Sequence, residues 1–197
     1  METKTGKETA LRYAHMLGIR PADGERRKAH VSLGAEDAAR LKDLGTRLRG
    51  TLPDLVAGLL ARFRAQEEGA SLFPEGPTPE PVRQALLTYC ETLTCGEYGW
   101  AYCLDRLGVG VTLQRVGVPL HLQAGNFANL MDALLPEVFR LYGRDGAGRA
   151  ETVRALSKIA SFDFGLILEA YHLADHLAHD RLCASAEASE RRYRDLV

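Results

Sequence analysis

The sequence predicts an all-α fold with a long C-terminal helix. Apolar residues recur at three- and four-residue intervals along most of the 197-residue chain, and this spacing places them on one face of a helix. Alternating runs of β-branched residues, which are typical of strands, are missing. Hydrophobic residues make up 46% of the chain, so we expect one globular domain with a buried core rather than disorder.

Two helices are predicted before the first long loop. The segment GAEDAARLKDLGTRLRG carries Ala38, Leu41 and Leu44 on one face. Thr51 is placed to cap the next helix, LPDLVAGLLARFRAQEE, which has Pro53 in its first turn. The loop FPEGPTPEP follows, because four prolines and a glycine stop a helix.

Four further helices are predicted after this loop. The segments PVRQALLTYCETL and GEYGWAYCLDRLG each have helical spacing. The segment VPLHLQAGNFANLMDALLPEVFRLYG is long, and we expect Pro136 to kink or split it. After the turn RDGAG, one nearly unbroken helix is predicted from about Glu151 to the C-terminus.

The last helix carries two apolar stripes, which together span about 220° of its circumference. The first stripe consists of Leu166, Ala170, Leu173 and Leu177. The second stripe consists of Phe164, Leu168, Tyr171, Ala178 and Leu182. A surface helix that packs on one core needs a narrower apolar arc than 220°. We therefore expect the first stripe to face the protein's own core and the second to face a partner.

The second stripe continues toward the C-terminus at the spacing of a coiled coil. Its continuation consists of Leu182, Ala186, Ser189, Tyr193 and Leu196. This pattern predicts a homodimer through the last two long helices, with contacts at Leu168, Tyr171, Ala178 and Leu182. It also predicts that the final helix leads out of the domain.

Bulk properties exclude several classes of partner. The formal charge of −1 argues against a nucleic-acid or membrane-surface binder. The N-terminus has no apolar segment for export, and no run approaches the ~18 apolar residues of a membrane span. Cys90, Cys95, Cys103 and Cys183 lack the spacing of a zinc site. We therefore expect reduced thiols and a cytoplasmic location.

His172, His176 and His179 share one face of the last helix with Glu169, which is enough for three or four metal ligands. This face has no leucines, so a solvated polar face is the preferred interpretation. A pH-responsive face and a metal site are the alternatives, and no metal is predicted. No phosphate-binding loop or catalytic arrangement of side chains occurs, so the chain itself is not expected to be an enzyme.

Four segments occur in a characteristic order along the chain, namely VSLGAEDAARLKDL, GEYGWAYCLDRLGVG, LQRVGVP and SFDFGLILEAY. Their order and spacing resemble the globin-sensor family, which comprises the haem domains of globin-coupled sensors and the related protoglobins. The resemblance implies a globin-like fold of about seven to eight helices around a pocket. Residues 30–182 would form this domain, and residues 1–29 a helical N-terminal extension.

The resemblance also identifies the positions that surround haem in the family. The proximal histidine that holds the iron stands four residues before the glycine of the third motif. That glycine is Gly117 here, and the residue four before it is Leu113. The family's distal Phe-Tyr pair corresponds to Leu59 and Leu60, and Phe127 is a further pocket position.

Leucine has neither a lone pair for iron nor a donor for iron-bound oxygen, so no cofactor is expected. An empty pocket of ~300 Å³ would cost about 7 kcal/mol at ~24 cal/mol per Å³, which rivals a domain stability of roughly 5–15 kcal/mol. Three alternatives remain: leucines fill the core, a small apolar ligand occupies the pocket, or haem binds through an unusual ligand. For the third alternative, His121 is the nearest histidine to Leu113.

The C-terminal residues EASERRYRDLV resemble a helical linker that leads into a PAS domain. Residues 183–197 are therefore expected to link this domain to a downstream signalling domain, such as that of a PAS-containing histidine kinase. The predicted function is a sensory or regulatory globin domain without haem, which signals through its dimeric C-terminal helix. The alternative function is a haem-binding oxygen sensor with non-standard iron ligation.

Overall fold

The structure, a computed structural model, describes residues 4–72 and 79–194. Within these residues it contains nine α-helices and no strand. The helices are α1 (Lys4–Met16), α2 (Pro21–His30), α3 (Ala35–Leu48), α4 (Leu52–Arg64), α5 (Glu67–Ser71), α6 (Glu80–Leu93), α7 (Trp100–Arg115), α8 (Leu120–Tyr142) and α9 (Gly146–Arg194). The predicted all-α fold and long C-terminal helix are confirmed. None of the described helices is both long enough and apolar enough to cross a membrane.

Helices α3 and α4 form where the apolar spacing predicts them. Leu41 and Leu44 of α3 are fully buried. Thr51 occupies the N-cap position of α4, but its side chain makes no capping hydrogen bond. Its hydroxyl donates instead to the carbonyl of Leu48 in the preceding helix, at 3.2 Å. The predicted position is therefore right and the predicted side-chain cap is wrong.

Helix α9 begins at Gly146, within the predicted turn RDGAG, and three other helices also differ from the sequence-based ones. A break after Arg64 separates α4 from the short helix α5, whereas the sequence predicts one continuous helix through this segment. Helix α7 continues to Arg115 through the segment GVGVTLQR. Helix α8 contains Pro136 and is not split by it. Leu134 and Val138 on either side are almost fully buried, and their packing holds the helix together where proline removes one hydrogen bond.

The core is built around the contact between α7 and α9. Helices α3 and α8 also pack against α9, while α4 packs against α6 and α8. At the crossing of α7 and α9, a Cβ atom added to Gly110 would lie 3.0 Å from the Cβ of Ala170 and closer still to the carbonyl of Ile167. Glycine at this position allows the two helix backbones to approach each other.

The N-terminal helices belong to the same packed body. Helix α1 packs against α7 and also contacts α9, and α2 contacts α7. Tyr13 and Ala14 of α1 are buried, as is Ile19 in the turn that follows. Asp37 of α3 accepts a hydrogen bond from Lys158 of α9 at 2.9 Å, which fixes a further contact between distant parts of the chain.

Helix α9 passes from the core into solvent. Leu166 and Ala170 of its first stripe are fully buried, whereas every described side chain after Ala178 is exposed. Leu182 is 70% exposed and Tyr193 is 73% exposed. With 49 residues, α9 is about 73 Å long at 1.5 Å per residue. Its C-terminal part therefore extends beyond the core of the protein.

Candidate functional site

The two residues that the family resemblance assigns to the distal side of a haem pocket are buried. Leu59 and Leu60 of α4 are each 8% exposed, and both belong to the main hydrophobic core cluster. Leu134 of α8 belongs to the same cluster. On the distal side of the pocket predicted by the family resemblance, apolar side chains thus take part in ordinary core packing.

The proximal position has different surroundings. Leu113 lies in the last turn of α7 and is half-buried, outside the core cluster that contains Leu59 and Leu60. The turn after α7 contains Gly117 with a φ of +76°, a conformation that favours glycine. Phe127 of α8 is also half-buried, and its ring packs edge-on against that of Phe164 of α9 at 4.8 Å.

No histidine lies in the interior of the protein. All six histidines fall within the described residues, and all are exposed. His121, the nearest to Leu113 in sequence, lies in the first turn of α8 on the surface. The interior thiols are also poor ligands at neutral pH, because burial raises the pKa of Cys90 to about 12 and that of Cys103 to about 11. Both side chains therefore remain protonated thiols.

Two surface clefts adjoin these elements. A cleft of about 380 Å³ between α4 and α8 is lined by Leu59 and by the charged residues Asp54, Arg62, Asp132 and Glu137. Its wall is therefore mixed rather than apolar. A second cleft, of about 470 Å³, lies between the α1–α2 region and α9. In both clefts, charged side chains stand among the apolar ones.

A buried ion pair joins α6, α7 and α9. Nε of Arg106 donates to Oδ2 of Asp163 at 2.6 Å, and these side chains are 2% and 0% exposed. The hydroxyls of Tyr102 and Tyr89 also donate to the carboxylate, at 2.6 Å and 3.1 Å. Arg106 donates further to the hydroxyl of Thr92 at 2.9 Å. Its guanidinium lies 4.2 Å from the Tyr102 ring centroid and 4.4 Å from that of Tyr89.

The surroundings of this pair act differently on its two charges: they favour the charged form of Arg106, whereas burial raises the pKa of Asp163. Burial lowers the pKa of Arg106, but Asp163 and the two tyrosines raise it by more, and the net pKa lies above the ordinary arginine value. Burial also raises the pKa of Tyr89 and Tyr102, so both hydroxyls keep their protons and act as donors. For Asp163, burial outweighs the opposing effects of the Arg106 charge and of the three hydrogen bonds to the carboxylate, so its pKa lies above the ordinary aspartate value.

Sequence reasoning did not find this cluster. Tyr102, Arg106 and Asp163 all lie in the motifs that carry the family resemblance, but the motifs do not say which side chains meet. One feature of the sequence could have indicated the ion pair: Arg106 and Asp163 are charged residues among the apolar residues of two helices. A buried charge requires a partner, and the partner of Arg106 lies 57 residues away along the chain.

The predicted dimer contacts lie on the outer side of α9. Leu168, Tyr171 and Ala178 are half-buried, and Leu182 is exposed. Leu166 and Ala170 of the first stripe are buried as predicted. Leu173 and Leu177 are half-buried and pack against the core cluster at its edge. Beyond these contacts, Ala186, Ser189 and Tyr193 are exposed, and Leu196 lies outside the described residues.

The histidine face of α9 is exposed, as the sequence predicts for a polar face. Nε2 of His172 lies 3.0 Å from Nε2 of His176. One turn further, Sγ of Cys183 lies 3.5 Å from Nε2 of His179. Within residues 4–72 and 79–194, no three histidine, cysteine or carboxylate side chains gather around one point that could hold a metal ion. The four side chains therefore form two separate pairs.

Comparisons of sequence and of fold point to one family. The family model described as Protoglobin matches residues 21–176. The globin domain of a Geobacter sulfurreducens globin-coupled sensor matches the structure with a TM-score of 0.70 at 20% sequence identity, over 75% of this chain and 96% of that one. No curated protein matches the sequence. The family match extends from the start of α2 to the end of the buried part of α9, and the chain belongs to the protoglobin family.

Proposed function

We propose that this domain is a sensory globin that works without haem and regulates a downstream signalling domain. The main support for the proposal is that the interior of the protein offers no histidine that could bind haem iron. Leu113 stands where the family resemblance implies the proximal histidine, and all six histidines of the chain are exposed. An axial imidazole inside the pocket is what holds haem iron in a globin. The residues present do not fit that group.

The other side chains that can bind haem iron do not replace the histidine. Cys90 and Cys103 are buried thiols whose pKa values are raised to about 12 and about 11, and iron requires the thiolate. Tyr89 and Tyr102 keep their protons because burial raises the pKa of each. Both hydroxyls already donate to Asp163.

Among the remaining interpretations of the pocket, a filled core has the most support. Leu59 and Leu60 are buried in the core cluster, so their side chains occupy space on the distal side. The lining of the cleft that adjoins Leu59 includes the carboxylates of Asp54, Asp132 and Glu137 beside its apolar side chains, which supports a small apolar ligand less well than a wholly apolar wall would.

Helix α9 supports the regulatory half of the proposal. It is a single helix that begins in the core and continues into solvent. A helical segment of about 15 residues without tertiary contacts is marginal in water, and this one exposes Leu182 and Tyr193. We infer that α8 and α9 form a homodimer, and that the end of α9 leads to an output domain such as that of a PAS-containing histidine kinase in the cytoplasm.

A titration with haemin tests the absence of haem. Haemin added to the purified protein is expected to give weak, unsaturable absorbance without the Soret band of a histidine-ligated complex. The His121→Ala variant should behave identically, because His121 is not a ligand in this proposal. A stoichiometric, histidine-ligated complex that disappears in His121→Ala would contradict the proposal and establish an oxygen sensor with non-standard ligation.

The Leu113→His variant extends the same experiment to the state of the pocket. If the space beside Leu113 has stayed open, the new imidazole should restore partial haem binding with a Soret band. If the core has closed over that space, haemin should bind as weakly as it does to the unmodified protein. The burial of Leu59 and Leu60 favours the second result.

A further inference from the structure

We propose that His172 and His176 form a binding site for a divalent transition-metal ion of the Zn²⁺, Ni²⁺ and Cu²⁺ class on the outer face of α9. The two imidazoles lie one helical turn apart and are both exposed. Their Nε2 atoms face each other at 3.0 Å, and the ring centroids lie 4.3 Å apart. The site does not depend on the absence of haem or on the output domain.

The separation of the two nitrogens suits one shared ion. Imidazole nitrogens bind zinc at about 2.0–2.1 Å, so two nitrogens on one tetrahedral ion lie about 3.3 Å apart and two neighbours in a tetragonal complex about 2.9 Å apart. The distance of 3.0 Å between His172 and His176 falls between these values. The two rings, whose centroids lie 4.3 Å apart, must turn before both nitrogens can bind one ion.

The protonation states also permit binding. A neutral imidazole carries one proton, on either Nδ1 or Nε2. When both rings carry it on Nδ1, each Nε2 atom has a lone pair that can bind a metal ion. Metal binding to the two neutral rings therefore requires a change of tautomer and no loss of a proton from the pair.

The groups around the pair define which ions it prefers. Glu169 lies one turn before the site but accepts two hydrogen bonds from Arg27 of α2, at 2.7 Å and 2.8 Å. His179 faces Cys183 instead of the pair. Each chain thus supplies two nitrogens, and water completes the coordination. A nitrogen site without a carboxylate selects borderline transition metals over Mg²⁺ and Ca²⁺, which prefer oxygen.

The position of the site gives it a mechanical consequence. Ala174, between the two histidines, is the last fully buried residue of α9, so the site spans the point where the helix leaves the core. An ion held by His172 and His176 clamps two successive turns together there. Bound metal should therefore stabilise the helix in the segment that continues toward Cys183 and beyond.

Calorimetric titration of the purified protein with ZnCl₂ tests the site. We expect one saturable Zn²⁺ site at this pair, distinct from any Zn²⁺ bound by the His179–Cys183 pair, and no heat with MgCl₂. The variants His172→Ala and His176→Ala should each lower the Zn²⁺ affinity by about tenfold or more, because the second nitrogen binds intramolecularly. His121→Ala, which removes an exposed histidine from another helix, should bind Zn²⁺ like the unmodified protein.

Circular dichroism provides an independent measurement and a folding control. All three variants change exposed side chains, so their far-ultraviolet spectra without metal should match that of the unmodified protein. Saturating Zn²⁺ should raise the thermal midpoint of the unmodified protein and of His121→Ala, but not that of His172→Ala or His176→Ala. Zn²⁺ binding that is absent, or that is equally strong after loss of either His172 or His176, would overturn the proposal.

Discussion

Arg106 and Asp163 form an ion pair that has almost no contact with water. Removing two charges from water carries a large desolvation penalty, and only good geometry and further hydrogen bonds offset it. Here the carboxylate accepts from Arg106, Tyr102 and Tyr89. The pair and its hydrogen bonds therefore fix how α6, α7 and α9 pack together. This role does not require the pair to be more stabilising than apolar side chains in the same place.

Loss of one partner should destabilise the protein strongly. The Asp163→Ala variant leaves Arg106 charged and buried without a counterion, and we expect the free energy of unfolding to fall by about 3–5 kcal/mol. Urea denaturation followed by circular dichroism measures this change. Glu80→Ala, which breaks an exposed ion pair with Arg83, should change the midpoint far less. Equal midpoints for the two variants would contradict the importance of the buried pair.

The contact between α7 and α9 depends on a small residue at their crossing. The backbone of α9 passes so close to Gly110 that a Cβ atom there would collide with the carbonyl of Ile167. Gly108, two residues earlier on the same helix, has room, because its added Cβ would meet only the Cβ of Ala10, at 3.9 Å. The two glycines therefore form a matched pair for experiment.

Alanine at the two glycines should have opposite effects. Gly110→Ala forces α7 and α9 apart, and overpacking of this kind destabilises by about 1–3 kcal/mol. Gly108→Ala should be neutral or stabilising by up to about 1 kcal/mol, because alanine favours the helix over glycine. Thermal unfolding of the two variants checks the difference. A midpoint for Gly110→Ala at or above that of Gly108→Ala would show that the crossing is not tightly packed.

Helix α9 is also the element through which a signal would leave the domain. A continuous helix can transmit a small rotation or translation from the core to whatever follows it. Along its exposed part, the seam of Leu182, Ala186, Ser189 and Tyr193 contains two small residues, which would leave paired helices loosely packed. The two paired helices could then adopt two registers that differ little in free energy. A partner or a ligand could shift the population toward one of these registers.

Under the proposed function, the phase of this helix should control the output of the downstream domain. One residue inserted after Ala186 rotates the rest of the seam by about 100° and should change output activity strongly. Seven inserted residues restore the phase of the seam and should largely preserve activity. Assays of kinase or other output activity in the two insertion variants provide the measurement. The same activity in both would show that the linker is a passive tether.

At the level of the whole molecule, the question is what covers the outer side of α9. Leu168 and Tyr171 are half-buried, and Leu182 is exposed. These residues lie along one side of a helix whose opposite side is packed into the core. Contiguous exposed apolar side chains on a monomer favour association or aggregation, so a second copy of the chain is the partner that we propose.

Sedimentation should show a dimer of the unmodified protein at tens of micromolar. Leu168→Glu or Tyr171→Glu places a charge in the stripe and should yield monomers, because an unpaired charge in an apolar interface is strongly unfavourable. Arg181→Glu, on an exposed part of α9 outside the stripe, should remain dimeric. A monomeric unmodified protein at these concentrations would mean that the stripe has another partner.

The sequence by itself determined the features that depend on local pattern. Helical periodicity predicted the all-α fold and the long last helix, and motif order identified the family that the comparisons confirm. The same motifs predict that Leu113 stands at the position of the iron ligand, and this stays a prediction. The inferences of fold and family succeeded because hydrophobic periodicity and short motifs are properties of neighbouring residues.

Only the tertiary structure decided how distant parts of the chain meet. It pairs Arg106 with Asp163 across 57 residues, and it buries Leu60 while leaving Leu113 half-exposed. It also keeps α8 intact through Pro136, because packing on both sides outweighs the lost hydrogen bond. Local pattern cannot predict such outcomes, because each is set by the side chains that other helices bring to the same place.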